Sequence, residues 1–399
     1  MPPLTERSER NLLLLIAAVQ FVNILDFMMV MPLGPDFAVD LGIPTARLGL
    51  IGGSYTASAA VAGIVGARFL DRFDRRSALA VSMTGLVVAT ALGGFAWNFP
   101  SLLAARVLAG AFGGPATSVS MAVVADVVPP ARRGQAMGLV AGAFAIASVL
   151  GVPAGLELAR LGNWRTPFWS VAALGVLVVG GALWKLPSLR GHLTEEKSTA
   201  TAWELVRRPE VLLALAISGL LTAGNFVVIP NISTFLQYNA NYPRENLGGL
   251  YMVGGLTSLL VLRLAGRGVD RLGTAPLFTV GSLLVAAVLA VGFVPELPLV
   301  PVVSIFVVFM GSQSIRNVSL QALLSKVPQQ NERARFQSMN SALQHVGSAG
   351  GAMFGASLLT ETDGHHLVGM PRLAMLALTA SLVLPVMVYA LVRRVDTPR

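Results

Sequence analysis

The sequence predicts an all-α membrane protein, with twelve transmembrane helices in two pseudo-symmetric six-helix bundles. Three observations carry that expectation. Twelve apolar stretches each approach the length of about 20 residues that a bilayer crossing requires. The arginines and lysines between them alternate from crowded to sparse along the chain. The two halves of the chain also resemble one another at a single constant offset.

Composition supports the first observation. Of 399 residues, 54% are hydrophobic and only 12% charged, whereas a soluble domain carries about 25% charge. Mean hydropathy is +0.69. A chain this apolar cannot cover its surface with polar groups in water, so a lipid bilayer is its expected solvent. The apolar stretches fall near 11–33, 48–70, 77–97, 101–126, 135–158 and 165–186, and again near 210–237, 247–269, 275–295, 298–324, 334–358 and 370–392. The first run is too long for a cleaved leader and lacks a small-residue cleavage site, so it is expected to stay as a span. Between the two sets lies the longest polar segment, 187–209, with Glu195, Glu196 and Lys197. It reads as a linker between an N-terminal bundle at 1–186 and a C-terminal bundle at 210–399, with a short surface helix expected over 203–208.

An even number of spans puts both ends on one side. With the N-terminus inside, twenty of the 29 basic residues fall on the inner side and five on the outer. The other four, Arg68, Arg106, Arg263 and Arg316, lie within spans. The positive-inside rule therefore places both termini in the cytoplasm. The net charge of +9 follows this topology and does not imply a nucleic-acid partner. Cysteine is absent and only four histidines exist, which removes disulfides, thiolate metal sites and thiol nucleophiles. No metal site and no cofactor is expected. Gly-Lys never occurs, so the phosphate loop that ATP hydrolysis needs is missing, and no catalytic set is present.

The repeat has an offset of 199 residues: Asp26 and Phe27 match Asn225 and Phe226, Leu48 and Gly49 match Leu247 and Gly248, Asp71 and Arg72 match Asp270 and Arg271, and Val128 and Pro129 match Val327 and Pro328. Parallel six-span repeats with a binding site near the midplane are a transporter plan. After span 2 the chain reads Ala67-Arg68-Phe69-Leu70-Asp71-Arg72-Phe73-Asp74-Arg75-Arg76. After span 8 it reads Gly266-Arg267-Gly268-Val269-Asp270-Arg271-Leu272-Gly273. Span 4 carries Arg106 and Gly110. Span 5 carries Gly138, Gly142, Gly151, Pro153 and Gly155, followed by Asn163, Trp164 and Arg165.

In order and spacing these motifs resemble those of the major facilitator superfamily over essentially the whole chain. They are most similar to its twelve-span drug:proton antiporter branch, the bacterial multidrug and arabinose-type efflux permeases. Two glycines of the family's loop motif are replaced, by Ala67 and Asp74. The resemblance implies the major facilitator fold, a monomer in a bacterial inner membrane, and secondary active transport by alternating access. Proton-coupled efflux of a small amphipathic drug or metabolite is the leading expectation. An uptake symporter or lipid exporter is the alternative, and a non-transporting sensor or channel a more distant one. The partners implied are a small-molecule substrate, protons and the bilayer.

Asp26 is the one acid well inside a span. A charged Asp at that depth costs about 2.5–3.5 kcal/mol and so needs a partner or a purpose. Asp26 lies about 22 Å from the inner end of span 1, and Arg106 about 7–8 Å from the outer end of span 4. In a core of about 30 Å the two share one height. An Asp26–Arg106 pair is expected, either as a proton-coupling switch or as a static bridge pinning two helices; the resemblance favours coupling. Gln20, Asn23, Tyr55 and Asn225 are polar groups expected to line a cavity. Span 10 presents Gln313, Arg316 and Asn317 on one stripe, and span 11 presents Gln344 and His345. These nine are the candidate substrate contacts, with interhelical hydrogen bonding as the plainer alternative. Arg316 in particular has no acid in the C-terminal spans to pair with. It awaits an anionic or carbonyl-rich group, backbone carbonyls, or Asp26 in another state. Asp71, Arg72, Arg75, Arg76, Asp126, Asp270 and Arg271 form a candidate cytoplasmic gate: the acids are expected to cap neighbouring helices, and Arg75 or Arg76 to reach Asp126. Gly142, Gly151, Pro153 and Gly155 permit close packing and a bend in span 5. Their association with export is implied by the resemblance alone.

Overall fold

The computed structural model describes residues 6–69, 72–129, 136, 139–140, 142–143, 146–189, 205–295, 297–329, 332–362 and 364–396. Asp71 and most of 187–209 lie outside these, so the cap expected of Asp71 and much of the expected linker do too. Of the surface helix expected over 203–208, residues 205 and 206 are helical.

The chain is almost entirely helical. Its long helices are α1 (Glu6–Met29), α3 (Leu48–Phe69), α4 (Arg75–Gly94), α5 (Phe99–Val127), α7 (Arg165–Lys185), α8 (Pro209–Val228), α9 (Leu247–Leu272), α10 (Thr274–Gly292), α11 (Val302–Leu324), α12 (Arg333–Ser357) and α13 (Met370–Asp396). Two shorter helices are α2 (Gly34–Leu41) and α6 (Val152–Leu161). Among the described residues, nine helical segments are long and apolar enough to cross a membrane. They coincide with nine of the twelve expected stretches. Helices α3 and α12 occupy the second and eleventh. The fifth is described only in part and ends in α6. One feature was not foreseen: strands β1 (Thr360–Glu361) and β2 (Leu367–Val368) form a small antiparallel hairpin between α12 and α13.

Helix ends follow local chemistry. Asn98 and Ser101 form a reciprocal capping box at the start of α5, which satisfies two of the orphan donors of the first turn. Asp74 caps α4 by accepting from the Arg76 amide at 2.9 Å. Ahead of α6, residues Ala147–Gly151 widen into a π-helical turn. Pro153 has no N–H to give to the preceding turn, which favours such a local change of pitch.

The chain divides into two compact units, Met1–Ile43 with Ser54–Ser198, and Pro44–Gly53 with Thr199–Arg399. Within the first, α4 packs on α5 and α7, and α1 packs on α5 and α7. Within the second, α10 packs on α11 and α13, α8 on α12 and α13, and α9 on α11. Pairing of the third span with the fourth and sixth thus recurs in each, as the repeat implies. The second unit has an apolar core that includes Val211, Ile217, Phe278, Leu323, Phe336 and Leu384.

Candidate functional site

In the first unit, α1, α4 and α5 bring three polar side chains together in an apolar interior. Arg106 Nη1 donates to Asp26 Oδ1 at 3.0 Å, and Nη2 donates to the Asp26 carbonyl at 3.3 Å. The two side chains are 1% and 0% exposed, so water solvates neither. Thr90 on α4 places its hydroxyl 2.7 Å from the same Asp26 Oδ1 and 2.8 Å from the Leu86 carbonyl. One hydroxyl proton thus has two acceptors within reach. Asp26 Oδ2 is buried and has no hydrogen-bond partner.

Tyr55 supports this group from α3. Its ring lies 4.8 Å from the guanidinium carbon of Arg106, a cation–π arrangement strengthened by the absence of water. Its hydroxyl donates to Asn23 Oδ1 at 2.6 Å. Asn23 donates in turn to the Gly113 carbonyl at 2.9 Å and to Thr117 Oγ1 at 2.7 Å, so both of its donors are engaged. Helix α5 comes this near to α3 because residue 110 is glycine. A Cβ there would stand 2.1 Å from the Tyr55 carbonyl oxygen. Arg106 and Gly110, one turn apart, therefore do two jobs on one face: one holds the acid, the other admits Tyr55. Gln20 is buried, and its Oε1 has no partner.

In the second unit the span-10 stripe divides. Gln313 donates to Asn225 Oδ1 at 2.7 Å, while its own Oε1 is unpartnered. Asn317 is exposed. Arg316 turns toward α10 and α13. It donates to Ser381 Oγ at 3.3 Å and lies 5.8 Å from the Phe278 ring centre. Gln344 donates to Ser218 Oγ at 3.1 Å. His345 is half-buried on α12 beside it.

The gate residues are placed as follows. Arg75 pairs with Asp126 at 3.1 Å, and Arg76 donates instead to the Leu183 carbonyl. Arg72, Asp270 and Arg271 are exposed. The helix-capping expected of Asp270 is not made at α10: Gly273 stands at its N-cap, with no side-chain cap, because Asp270 lies within the last turn of α9. The capping acid in the first unit is Asp74. It also binds the Leu189 amide at 3.0 Å and the Ser188 hydroxyl, tying the segment after α7 to the start of α4. In span 5, a Cβ at Gly151 would come within 2.7 Å of Leu25 on α1, and one at Gly155 would make ordinary contact with Met29. A Cβ at Gly142 would meet nothing within 4 Å. Pro153 is buried in the first turn of α6.

Thr90, Thr117, Ser218 and Ser381 were not singled out from the sequence. Each is a hydroxyl in a largely apolar helix, and such a group most often bonds its own helix.

Long apolar helices that enclose a few charged side chains mark a multi-pass membrane protein of the transport class. The chain belongs to the Major Facilitator Superfamily, whose model matches residues 16–395. It is a transporter of that family, not an enzyme. A chloramphenicol resistance protein of Streptomyces lividans is 26% identical over 356 residues, covering 89% of this chain and 90% of that protein. The purine ribonucleoside efflux pump NepI of Escherichia coli is 29% identical over 240 residues, 59% of each chain. Two solved structures share the fold at 16% identity. A bacterial homologue of the human lysosomal transporter Spinster has a TM-score of 0.77 with 98% of each chain covered. A D-xylose–proton symporter has a TM-score of 0.75 with 94% and 96% covered.

Proposed function

We propose that this chain is a proton-coupled exporter of a small amphipathic molecule, and that Asp26 carries the proton. The observation behind this is the buried Asp26–Arg106–Thr90 group, with Asp26 Oδ2 left without a partner. A proton arriving at Oδ2 displaces no existing hydrogen bond. It cancels the charge that holds Arg106, and the Thr90 hydroxyl then turns to Leu86 without losing a partner. Loss of the proton restores the ion pair. Such an element has two arrangements, one with the ion pair closed and one with Arg106 released to seek another partner, as coupled transport needs. Outward direction is supported by the names of the relatives in Streptomyces lividans and Escherichia coli, a resistance protein and an efflux pump.

In this reading the chain works as a monomer in a bacterial inner membrane, with both termini in the cytoplasm and halves at 1–186 and 210–399 joined by 187–209. Gln20, Asn23, Tyr55, Asn225, Gln313, Arg316, Asn317, Gln344 and His345 supply the cargo contacts. The Arg75–Asp126 pair and its neighbours form the inner gate. The test uses everted membrane vesicles with an imposed pH gradient and radiolabelled chloramphenicol or purine ribonucleosides. Wild type should accumulate cargo when the lumen is acidified. Asp26→Asn should lose accumulation while still exchanging labelled for unlabelled cargo. Gradient-driven accumulation by Asp26→Asn would sink the assignment.

A further inference from the structure

Arg316 stands in a position opposite to that of Arg106. Each is a buried guanidinium, and Arg316 is 2% exposed. Arg106 has a carboxylate at 3.0 Å; among the described residues Arg316 has none. Helices α10, α11 and α12 contain no Asp or Glu, and α8, α9 and α13 carry theirs only at their ends, at Glu210, Asp270 and Asp396. The Arg316 guanidinium meets one neutral hydroxyl, Ser381 Oγ at 3.3 Å, and the ring of Phe278. The Ser381 hydroxyl gives its own proton to the Ala377 carbonyl at 2.8 Å, so it serves Arg316 only as an acceptor. Arg316 Nε is buried with no acceptor among the described residues.

The surroundings are built to receive this side chain. Residue 281 is glycine, and a Cβ there would stand 3.0 Å from Arg316 Cγ, so α10 yields room for the arginine stem. The next residue, Ser282, is fully buried, and its hydroxyl is unpartnered. Two donors, a charged N–H and a neutral O–H, are thus left without acceptors on the packed faces of α10 and α11. A buried cation without a counter-charge is among the least stable arrangements in an apolar interior, and an anion is the group that answers a charged N–H and a neutral O–H alike.

We propose that Arg316 is the centre of an anion-binding site inside the second unit, completed by Ser282, which takes one small monovalent anion: a halide ion or a carboxylate group. A carboxylate would belong to the cargo, and only that form rests on the cargo-contact reading of Arg316. A halide site stands whether or not the chain exchanges protons.

The experiment is thermal unfolding of the purified full chain in detergent at constant ionic strength. Gluconate, too bulky for a buried site, is exchanged stepwise for chloride, bromide, formate or acetate. Wild type should show a saturable rise in midpoint that continues with the logarithm of anion concentration above the dissociation constant. A response to halides alone identifies a resident inorganic ion. A response to carboxylates alone identifies the acidic group of a cargo. Arg316→Met should be flat in every salt, yet at least as stable as wild type in gluconate, because it removes an uncompensated charge. Ser282→Ala should weaken the anion by about tenfold, the worth of one hydrogen bond to a charged group. The proposal is overturned if wild type is flat across all salts, or if Arg316→Met follows wild type. Should Arg316→Met fail to fold, Ser282→Ala decides alone, since an unchanged affinity there removes the second donor the site requires.

Discussion

At the residue scale, the Thr90 hydroxyl is the most informative group in the molecule. It lies 2.7 Å from Asp26 and 2.8 Å from the Leu86 carbonyl, so it can follow the charge of Asp26 by rotating about one bond. Thr90→Val keeps the shape and removes that freedom. Gradient-driven transport should slow by about tenfold, the worth of a hydrogen bond to a charged group, while cargo counterflow is unchanged. Equal slowing of both would make Thr90 a packing residue only. The Asp26–Arg106 contact was legible in the sequence because helical rise converts residue number into depth, and depth alone brings the two to one level. Thr90 was not legible, since a hydroxyl in an apolar helix bonds its own backbone by default. The direction of Arg316 was hidden for another reason. Helical periodicity groups it with Gln313 and Asn317 on one stripe, but only tertiary packing decides that it turns to Ser381 while Gln313 turns to Asn225.

At the element scale, close approach of helices decides which glycines matter. Gly110→Ala forces a carbon to within 2.1 Å of a backbone oxygen on α3. Backbone cannot step aside as a flexible side chain can, so the cost should be at least about 2–3 kcal/mol, together with loss of the Tyr55 stacking on Arg106. Gly142→Ala meets open space and should be neutral or stabilise by about 0.5–1 kcal/mol through lower backbone entropy in the unfolded chain. Thermal midpoints of the two variants, measured side by side, check the contrast. Both glycines look alike in the sequence, because a motif records spacing and not what stands opposite. Asp74 shows the same limit. By sequence it is a departure from a motif glycine. In the structure it caps α4 and holds Ser188 and Leu189, so Asp74→Ala should cost about 1–2 kcal/mol.

At the scale of the whole molecule, twelve apolar stretches, one repeat and the distribution of arginine made the fold class readable before any contact was known. The bilayer imposes that economy: every spanning segment must satisfy its own backbone, so hydropathy alone marks the helices. The hairpin at 360–368 escaped because two residue pairs leave no periodicity to detect. Orientation is testable directly. A green fluorescent protein fused after Arg399 should fold and fluoresce in intact cells, and an alkaline phosphatase fused there should be inactive; the reverse pattern would invert the topology. At the start of α8, Arg208 binds Glu210 at 3.0 Å and Glu332 at 2.6 Å. Partial burial pulls its proton affinity down, but the bonds to the two acids outweigh this and leave it raised, so the clamp stays charged throughout the physiological range. Arg208→Ala leaves Glu210 and Glu332 without this cation and should lower stability by about 1–3 kcal/mol.

Helix α3 is continuous from Leu48 to Phe69, yet its opening residues cluster with one compact unit and its remainder with the other. The opening is held at Thr45, whose amide donates to Glu361 at 2.6 Å. Glu361 in turn pairs with His365 at 2.6 Å, while Asn239 exchanges two hydrogen bonds with the Leu367 backbone. Amide hydrogen exchange reads such affiliations directly. Deuterium should enter the opening of α3 in step with the hairpin strands and the helical turn Phe235–Asn239 that follows α8, and not in step with the turns around Tyr55. A single rod of helix would then carry two protection factors, with the break between them falling near Gly53.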